Sequence, residues 1–133
     1  MPMSFYLQNR VLQATLQGDV FTWPTAMFVG LHTADPTAST ATALTTEVTG
    51  NGYLRQAATF TEPDGSYLTF NTADITFGPA NPNAWGAITF ISIWDAASSG
   101  NLLYYGALSS TVTINALDSF LLASGGLSIQ FTI

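Results

Sequence analysis

The first eighteen residues carry an apolar pattern that is typical of a helix. Leu7, Val11 and Ala14 recur at spacings of three and four residues, which places them on one helical face. Ser4 precedes this pattern as a candidate N-cap, and Gly18 follows it as a candidate stop. The pattern therefore predicts one short N-terminal helix within residues 1–18.

After the helix the hydrophobic period changes to two residues, which is typical of β-strands. The clearest case is the stretch 85–94, where Ile91 and Ile93 lie on one face and Trp94 lies on the other. Apolar residues on both faces indicate a central strand that is covered on both sides. Alternation and turn residues predict strands at residues 26–33, 53–60, 67–70, 75–77, 85–94, 102–108, 111–114, 120–123 and 127–133.

Two stretches qualify this pattern. Residues 37–49 are rich in Thr and Ala without any period, which predicts a long surface loop. Residues 127–133 alternate up to Ile133, which predicts a half-buried last strand. Many short strands with turns between them favour an all-β, antiparallel β-sandwich, jelly-roll-like or Greek-key, with one N-terminal helix. We expect a single domain over residues 1–133, with the helix in 1–18 and the strands in 19–133.

Charged side chains are scarce, because they make up 8% of the chain against about 25% in an ordinary soluble domain. The chain has no lysine, its two basic side chains are Arg10 and Arg55, and its formal net charge is −6. Nucleic acids and anionic membranes attract clustered basic residues, so we expect neither as a partner. Polarity comes from Thr, Ser, Asn and Gln, which can be buried against a protein partner at lower cost than charges.

The residue types needed for catalysis or metal binding are not grouped along the chain. Cysteine is absent, His32 is the only histidine, and the eight carboxylates are spread singly. We therefore expect no metal site, no cofactor and no enzymatic activity. His32 is either a triad base or, as we favour, a strand-end residue with an ordinary hydrogen bond. No carboxylate spacing supports a glycosidase, and we see neither a signal peptide nor an apolar run that could span a membrane.

Four side chains are candidates for contacts with a partner, namely Arg10, Trp23, Arg55 and Trp85. Arginine and aromatic residues are enriched at the most tightly bound positions of protein interfaces. Arg55 is either an exposed strand residue that pairs with a nearby carboxylate or an interface anchor. Trp23 precedes Pro24 and is expected to pack at the junction of helix and strand. The alternative is a sugar-stacking platform of Trp23, Trp85 and Trp94, although Trp94 is expected in the core.

Four short motifs occur in order along the chain. They are a helical start before a Trp-Pro junction, Leu-His-Thr-Ala-Asp-Pro at 31–36, Gly-Tyr-Leu-Arg-Gln-Ala at 52–57, and Trp-Gly, Ile-Trp-Asp-Ala and Gly-Asn-Leu-Leu within 85–103. Together they resemble a family of small tailed-bacteriophage virion structural proteins, of the decoration or tail-fibre-like kind. The resemblance implies a virion structural role and a β-sandwich, and it carries over no catalytic residue. The Thr/Ala-rich stretch 37–49 departs from the Gly-rich form of the family.

The resemblance leads to a capsid decoration hypothesis. We expect the chain to bind the outer capsid surface, on the major capsid protein, as a cement protein. Other copies of itself are expected as partners in a homo-oligomer, for which a trimer is favoured. The N-terminal helix and the stretch 37–49 are expected to make contacts between subunits. The alternatives are a tail-tip or tail-fibre-associated structural protein and a carbohydrate-binding module for host recognition.

Overall fold

A computed structural model describes residues 1–131 of the chain. The elements in this range are α1 Phe5–Leu16, β1 Met27–His32, α2 Thr40–Thr46, β2 Gln56–Ala58, β3 Leu68–Phe70, β4 Ile75–Phe77, β5 Gly86–Trp94, β6 Leu102–Ile114, β7 Phe120–Leu122 and β8 Ser128–Gln130. The fold is mostly β, and all strand pairs are antiparallel. The strand predicted at 127–133 is present as β8, while Thr132 and Ile133 lie outside the described residues.

Helix α1 confirms the predicted N-terminal helix and both of its end signals. The Ser4 hydroxyl accepts a hydrogen bond from the Leu7 amide at 3.1 Å, as an N-cap does. At the other end Gly18 has a φ of +72°, a backbone conformation that glycine adopts without steric cost. The Ser4 hydroxyl also donates to the Leu102 carbonyl, which ties the start of α1 to β6.

The largest sheet has four strands in the order β2-β1-β5-β6. Strand β5 is central, as predicted, and it forms the predicted hairpin with β6. Ile91 and Ile93 belong to the large apolar core on one face, whereas Trp94 belongs to a smaller cluster with Ala43 and Leu102. Both faces of β5 are therefore covered.

Strand β6 differs from the prediction, because the strands expected at 102–108 and 111–114 form one element of 13 residues. Its pairing with β5 is nevertheless interrupted, since Ala107 pairs with Phe90 and Val112 pairs with Ile88. The extra residues between these pairs lie opposite Thr89 and form a bulge. Within the described part of the chain, Thr89 Oγ1 is the one buried side-chain polar atom without a hydrogen-bond partner.

Helix α2 corrects the prediction that residues 37–49 form a long loop. The helix has seven residues, and its Ser39 N-cap makes no side-chain hydrogen bond. So short a helix is not stable in isolation, and tertiary packing must stabilise it. Ala43 provides that packing, because it is fully buried against Trp94 and Leu102.

Two further sheets have two strands each, β3 with β8 and β4 with β7. Their apolar residues join the large core, including Ile75 and Phe77 from β4 and Ile129 from β8. The strand predicted at 53–60 is reduced to β2, followed by an isolated bridge between Phe60 and Asn71. The sheets are small and not closed, so a jelly-roll or Greek-key sandwich stays a prediction. Neither helix in residues 1–131 is long and apolar enough to cross a membrane.

Candidate interaction surface

Arg55 lies in a buried ion pair, and it is not the exposed strand residue considered from the sequence. It precedes β2, only 7% of it is exposed, and it binds Glu47 through two parallel contacts. The Nε–Oε1 and Nη2–Oε2 distances are both 2.7 Å. Bidentate arginine–carboxylate pairs of this kind are among the stronger polar contacts in proteins. The expected carboxylate partner is thus present, but inside the molecule.

The remaining contacts of Arg55 hold the loop between β5 and β6. Its Nη1 donates to the carbonyls of Ala96 and Ser99 at 2.9 and 2.8 Å. Its guanidinium carbon lies 3.7 Å from the ring centre of Trp94, so cation–π attraction adds to the hydrogen bonds. The guanidinium is therefore engaged by its own chain, and an interface role for Arg55 stays a prediction.

His32 lies at the end of β1 and is fully buried. Its Nε2 lies 2.6 Å from Ser92 Oγ, and its Nδ1 lies 3.0 Å from Thr46 Oγ1. The Thr46 hydroxyl donates to the Thr42 carbonyl at 3.2 Å, so towards His32 it acts as the acceptor of an Nδ1–H donor. This direction assigns the proton of the neutral ring to Nδ1 and leaves Nε2 to accept from the Ser92 hydroxyl, which itself accepts from Trp94 Nε1 at 2.7 Å.

Burial lowers the pKa of His32 from 6.5 to about 4, with a smaller contribution from Arg55, while Glu47 acts in the opposite direction. The ring is therefore neutral at pH 7. Ser92 is also fully buried, so a substrate could reach its hydroxyl only if the sheet opened. This geometry matches the strand-end reading of His32 with ordinary hydrogen bonds. No group of three or more acidic or histidine side chains that could hold a metal occurs in residues 1–131.

Tyr53 completes this buried network. Its hydroxyl donates to Glu47 Oε1 at 2.8 Å and accepts from the Leu31 amide at 2.9 Å. Burial, with the neighbouring Glu47 carboxylate, raises the pKa of Tyr53 well above its usual value. A methyl group on Gly30 would stand 2.8 Å from Glu47 Oε1 and 2.9 Å from the Ser92 hydroxyl oxygen, so any larger residue would have to displace these hydrogen-bonded oxygens.

Three of the sequence motifs meet in this network, namely 31–36, 52–57 and the segment around Trp94. They supply the histidine, the tyrosine and arginine, and the tryptophan that contact one another. Sequence reasoning missed Glu47, which lies in the stretch without periodicity. The motifs therefore encode a stabilising polar core.

Trp85 is buried, so it cannot offer a flat ring to a sugar. Its Nε1 donates to the Asn51 carbonyl at 2.9 Å, and Tyr53 packs edge-on against it at 5.5 Å. The buried position of Trp85 thus favours a packing role over the sugar-stacking alternative.

Arg10 and Trp23, by contrast, come together at the surface. The Arg10 guanidinium carbon lies 4.9 Å from the ring centre of Phe21, and the Phe21 and Trp23 rings meet edge-on at 4.4 Å. Trp23 is 60% exposed, so the packing expected for it leaves most of the ring in solvent, and Leu16 and Val20 are 78% and 91% exposed. We call Arg10, Val20, Phe21 and Trp23 the aromatic patch.

Among residues 1–131, no ion pair involves Arg10 or Asp19. Arg10 donates to the Gln13 side chain at 3.0 Å and to the Val20 carbonyl at 3.4 Å, and it forms no ion pair with a described carboxylate. Asp19 lies beside Val20 and is exposed. Because the other arginine, Arg55, is buried, Arg10 is the one Lys or Arg side chain available at the described surface.

A protein-family model described as Podophage GP4 fiber I protein gp80 matches residues 2–130 of the chain. None of the curated proteins matches it.

Proposed function

The chain belongs to the podophage GP4 fiber I protein gp80 family, and from this membership we propose that it is a structural subunit associated with the phage tail fibre. Membership implies a virion structural role and a virion-associated location. The assignment to the tail fibre is more specific than a virion structural role, and it is supported by the family match over residues 2–130. Capsid decoration, the first expectation from the sequence, is less well supported because the family description names a fibre.

We also propose that the protein acts by binding and not by catalysis. The serine and histidine that lie within hydrogen-bond distance, Ser92 and His32, are both fully buried. Their polar atoms are occupied by Trp94 and Thr46, as expected for a core network. A homo-oligomer, with a trimer favoured, fits a structural protein that is present in many copies.

Electron microscopy of intact particles, with an antibody or tag on this chain, tests the proposal. Label at the tail fibre or its attachment site is the expected result. Label spread over the capsid shell would overturn the tail-fibre assignment and favour the cement role.

Particles that lack the protein provide a second test. We expect them to adsorb to host cells less well than wild-type particles and to burst at the same temperature. A lower burst temperature with normal adsorption would instead indicate shell reinforcement.

A further inference from the structure

We propose that the groove between β6 and β8 binds an extended strand of another virion protein, an inference that rests on the proposed structural role for the source of that strand. Strand β6 is the edge of the four-stranded sheet, β8 belongs to a separate two-stranded sheet, and no main-chain hydrogen bond within residues 1–131 joins the two. Two adjoining cavities separate them instead, and both are lined by Met1 and Ser128.

One wall of the groove is the free edge of β6. The Leu103 carbonyl accepts a hydrogen bond from the Ser4 amide at 2.8 Å. The Tyr105 amide donates to the Pro2 carbonyl at 3.3 Å, so both β6 residues direct their main-chain groups away from β5. Alternate residues of an antiparallel strand share this direction, and the pairing with β5 continues without a shift as far as Ala107. The amide and carbonyl of Ala107 therefore face the groove, where no main-chain group of residues 1–131 pairs with them.

The other wall is the free edge of β8. The Phe131 amide donates to the Tyr67 carbonyl at 3.2 Å, and alternate residues before Phe131 share its direction towards β3. Ser128 and Gln130 occupy the intervening positions, so their amides and carbonyls point away from β3 and towards the groove. Only another peptide main chain offers alternating donors and acceptors to both walls.

The start of the chain shows which kind of occupant the groove accepts. Met3 forms an antiparallel bridge with Tyr104, so residues 1–3 lie beside β6 in the manner of a short strand. Met1 comes next to Gly106, since a Cβ added to this glycine would stand 3.1 Å from the Met1 side chain. Residues 1–3 thus fill one end of the groove, and the free groups of Ala107 lie just beyond them.

The groove also selects the chemistry of its occupant. No charged side chain occurs in β6, in β7 or in residues 123–130, and Leu108, Val112 and Leu127 line the groove. An uncharged strand is favoured, because a charged side chain would lose its hydration there without gaining a partner. The strand comes from a different protein, since each copy of this chain has a formal net charge of −6 and repels another copy.

An uncharged strand fused ahead of Met1 in the full chain tests the groove. Because Met3 pairs with Tyr104 in antiparallel register, the residue added before Met1 should lie opposite Ala107, and the fusion gives a high effective concentration. A segment that alternates valine and threonine should raise the urea midpoint and slow the amide hydrogen exchange of Ala107 and Ser128 about tenfold or more. The control segment carries proline at alternate positions, which removes its donors.

Two proline variants separate main-chain pairing from loose contact. Ala107→Pro and Ser128→Pro each remove one amide that faces the groove and leave the bonds to β5 or β3 in place. Each should abolish most of the stabilisation that the fused strand provides, whereas Ala107→Ser and Ser128→Ala keep the amide and should retain it. Thermal melting of the variants without the fused strand verifies that the fold is kept.

A photo-crosslinking residue in place of Ala107 identifies the natural occupant in intact particles. We expect a cross-link to an uncharged segment of a different virion protein, located by mass spectrometry. A cross-link to a second copy, or none in particles that contain the variant, would overturn the inference. A fused strand without effect, or with an effect that both proline variants retain, would overturn it as well. A cross-linked strand in particles that carry this chain on the capsid would refute only the tail-fibre assignment, and an empty groove at the fibre would refute only the strand.

Discussion

Replacing Arg55 by methionine tests how much the buried polar network stabilises the fold. Methionine retains much of the apolar stem and removes the charge. Glu47 then loses both of its 2.7 Å contacts, and the carbonyls of Ala96 and Ser99 lose their donor. The face of Trp94 also loses its cation. We expect the free energy of unfolding to fall by about 3–5 kcal/mol.

The magnitude follows from the contacts that are lost. A hydrogen bond to a charged group contributes about 1.5–3 kcal/mol, and two such bonds join Arg55 to Glu47. In the variant the buried carboxylate would keep the Tyr53 hydroxyl as its donor. Since a domain is stable by only about 5–15 kcal/mol, this loss is a large share of the total.

Urea denaturation followed by tryptophan fluorescence measures the change at pH 7. A double-mutant cycle supplies the control: Glu47→Gln combined with Arg55→Met removes both charges, so the double variant should be more stable than the sum of the single losses predicts. We expect a coupling energy of about 1–3 kcal/mol. A cost below about 1 kcal/mol for Arg55→Met, or strictly additive losses, would refute the reasoning, because such values are typical of exposed pairs.

Three further predictions concern other contacts of the fold. The pKa of His32 is lowered from 6.5 to about 4 in the folded chain, so the unfolded chain binds the proton first as the pH falls. The free energy of unfolding is therefore retained above pH 6.5 and falls by about 3 kcal/mol as the pH drops to 4. Denaturation at several pH values should show this slope, and an equal slope in His32→Asn would contradict it. Ser4→Ala should cost about 1–2 kcal/mol in urea denaturation, because the first turn of α1 loses its cap and the Leu102 carbonyl loses its donor, and an unchanged denaturation midpoint would contradict this. Gly30→Ala should destabilise the fold by about 1–3 kcal/mol, because its methyl group would press against the Glu47 and Ser92 oxygens. Gly65→Ala is the control, because the added methyl group meets open space. Equal melting temperatures for the two variants would contradict this.

Much of the secondary structure follows from neighbours along the chain. The Ser4 cap, the Gly18 stop and the β5–β6 hairpin each depend on a few adjacent residues, and all three are predicted correctly. The bulge in β6 lies where the sequence suggested two separate strands, since pairing is interrupted there. Of the candidate contact residues, Arg10 and Trp23 are brought to one surface, whereas Arg55 and Trp85 are buried.

Local chemistry along this chain therefore accounts for the β-rich fold, the capped helix and the scarcity of charge. Long-range packing accounts for the rest: α2 forms because Ala43 is buried against Trp94 and Leu102, although its own residues show no period. The same holds for Arg55, whose partners include carbonyls 41 and 44 residues away in the chain. Burial depends on which distant elements cover a side chain, and a one-dimensional pattern carries no record of those contacts.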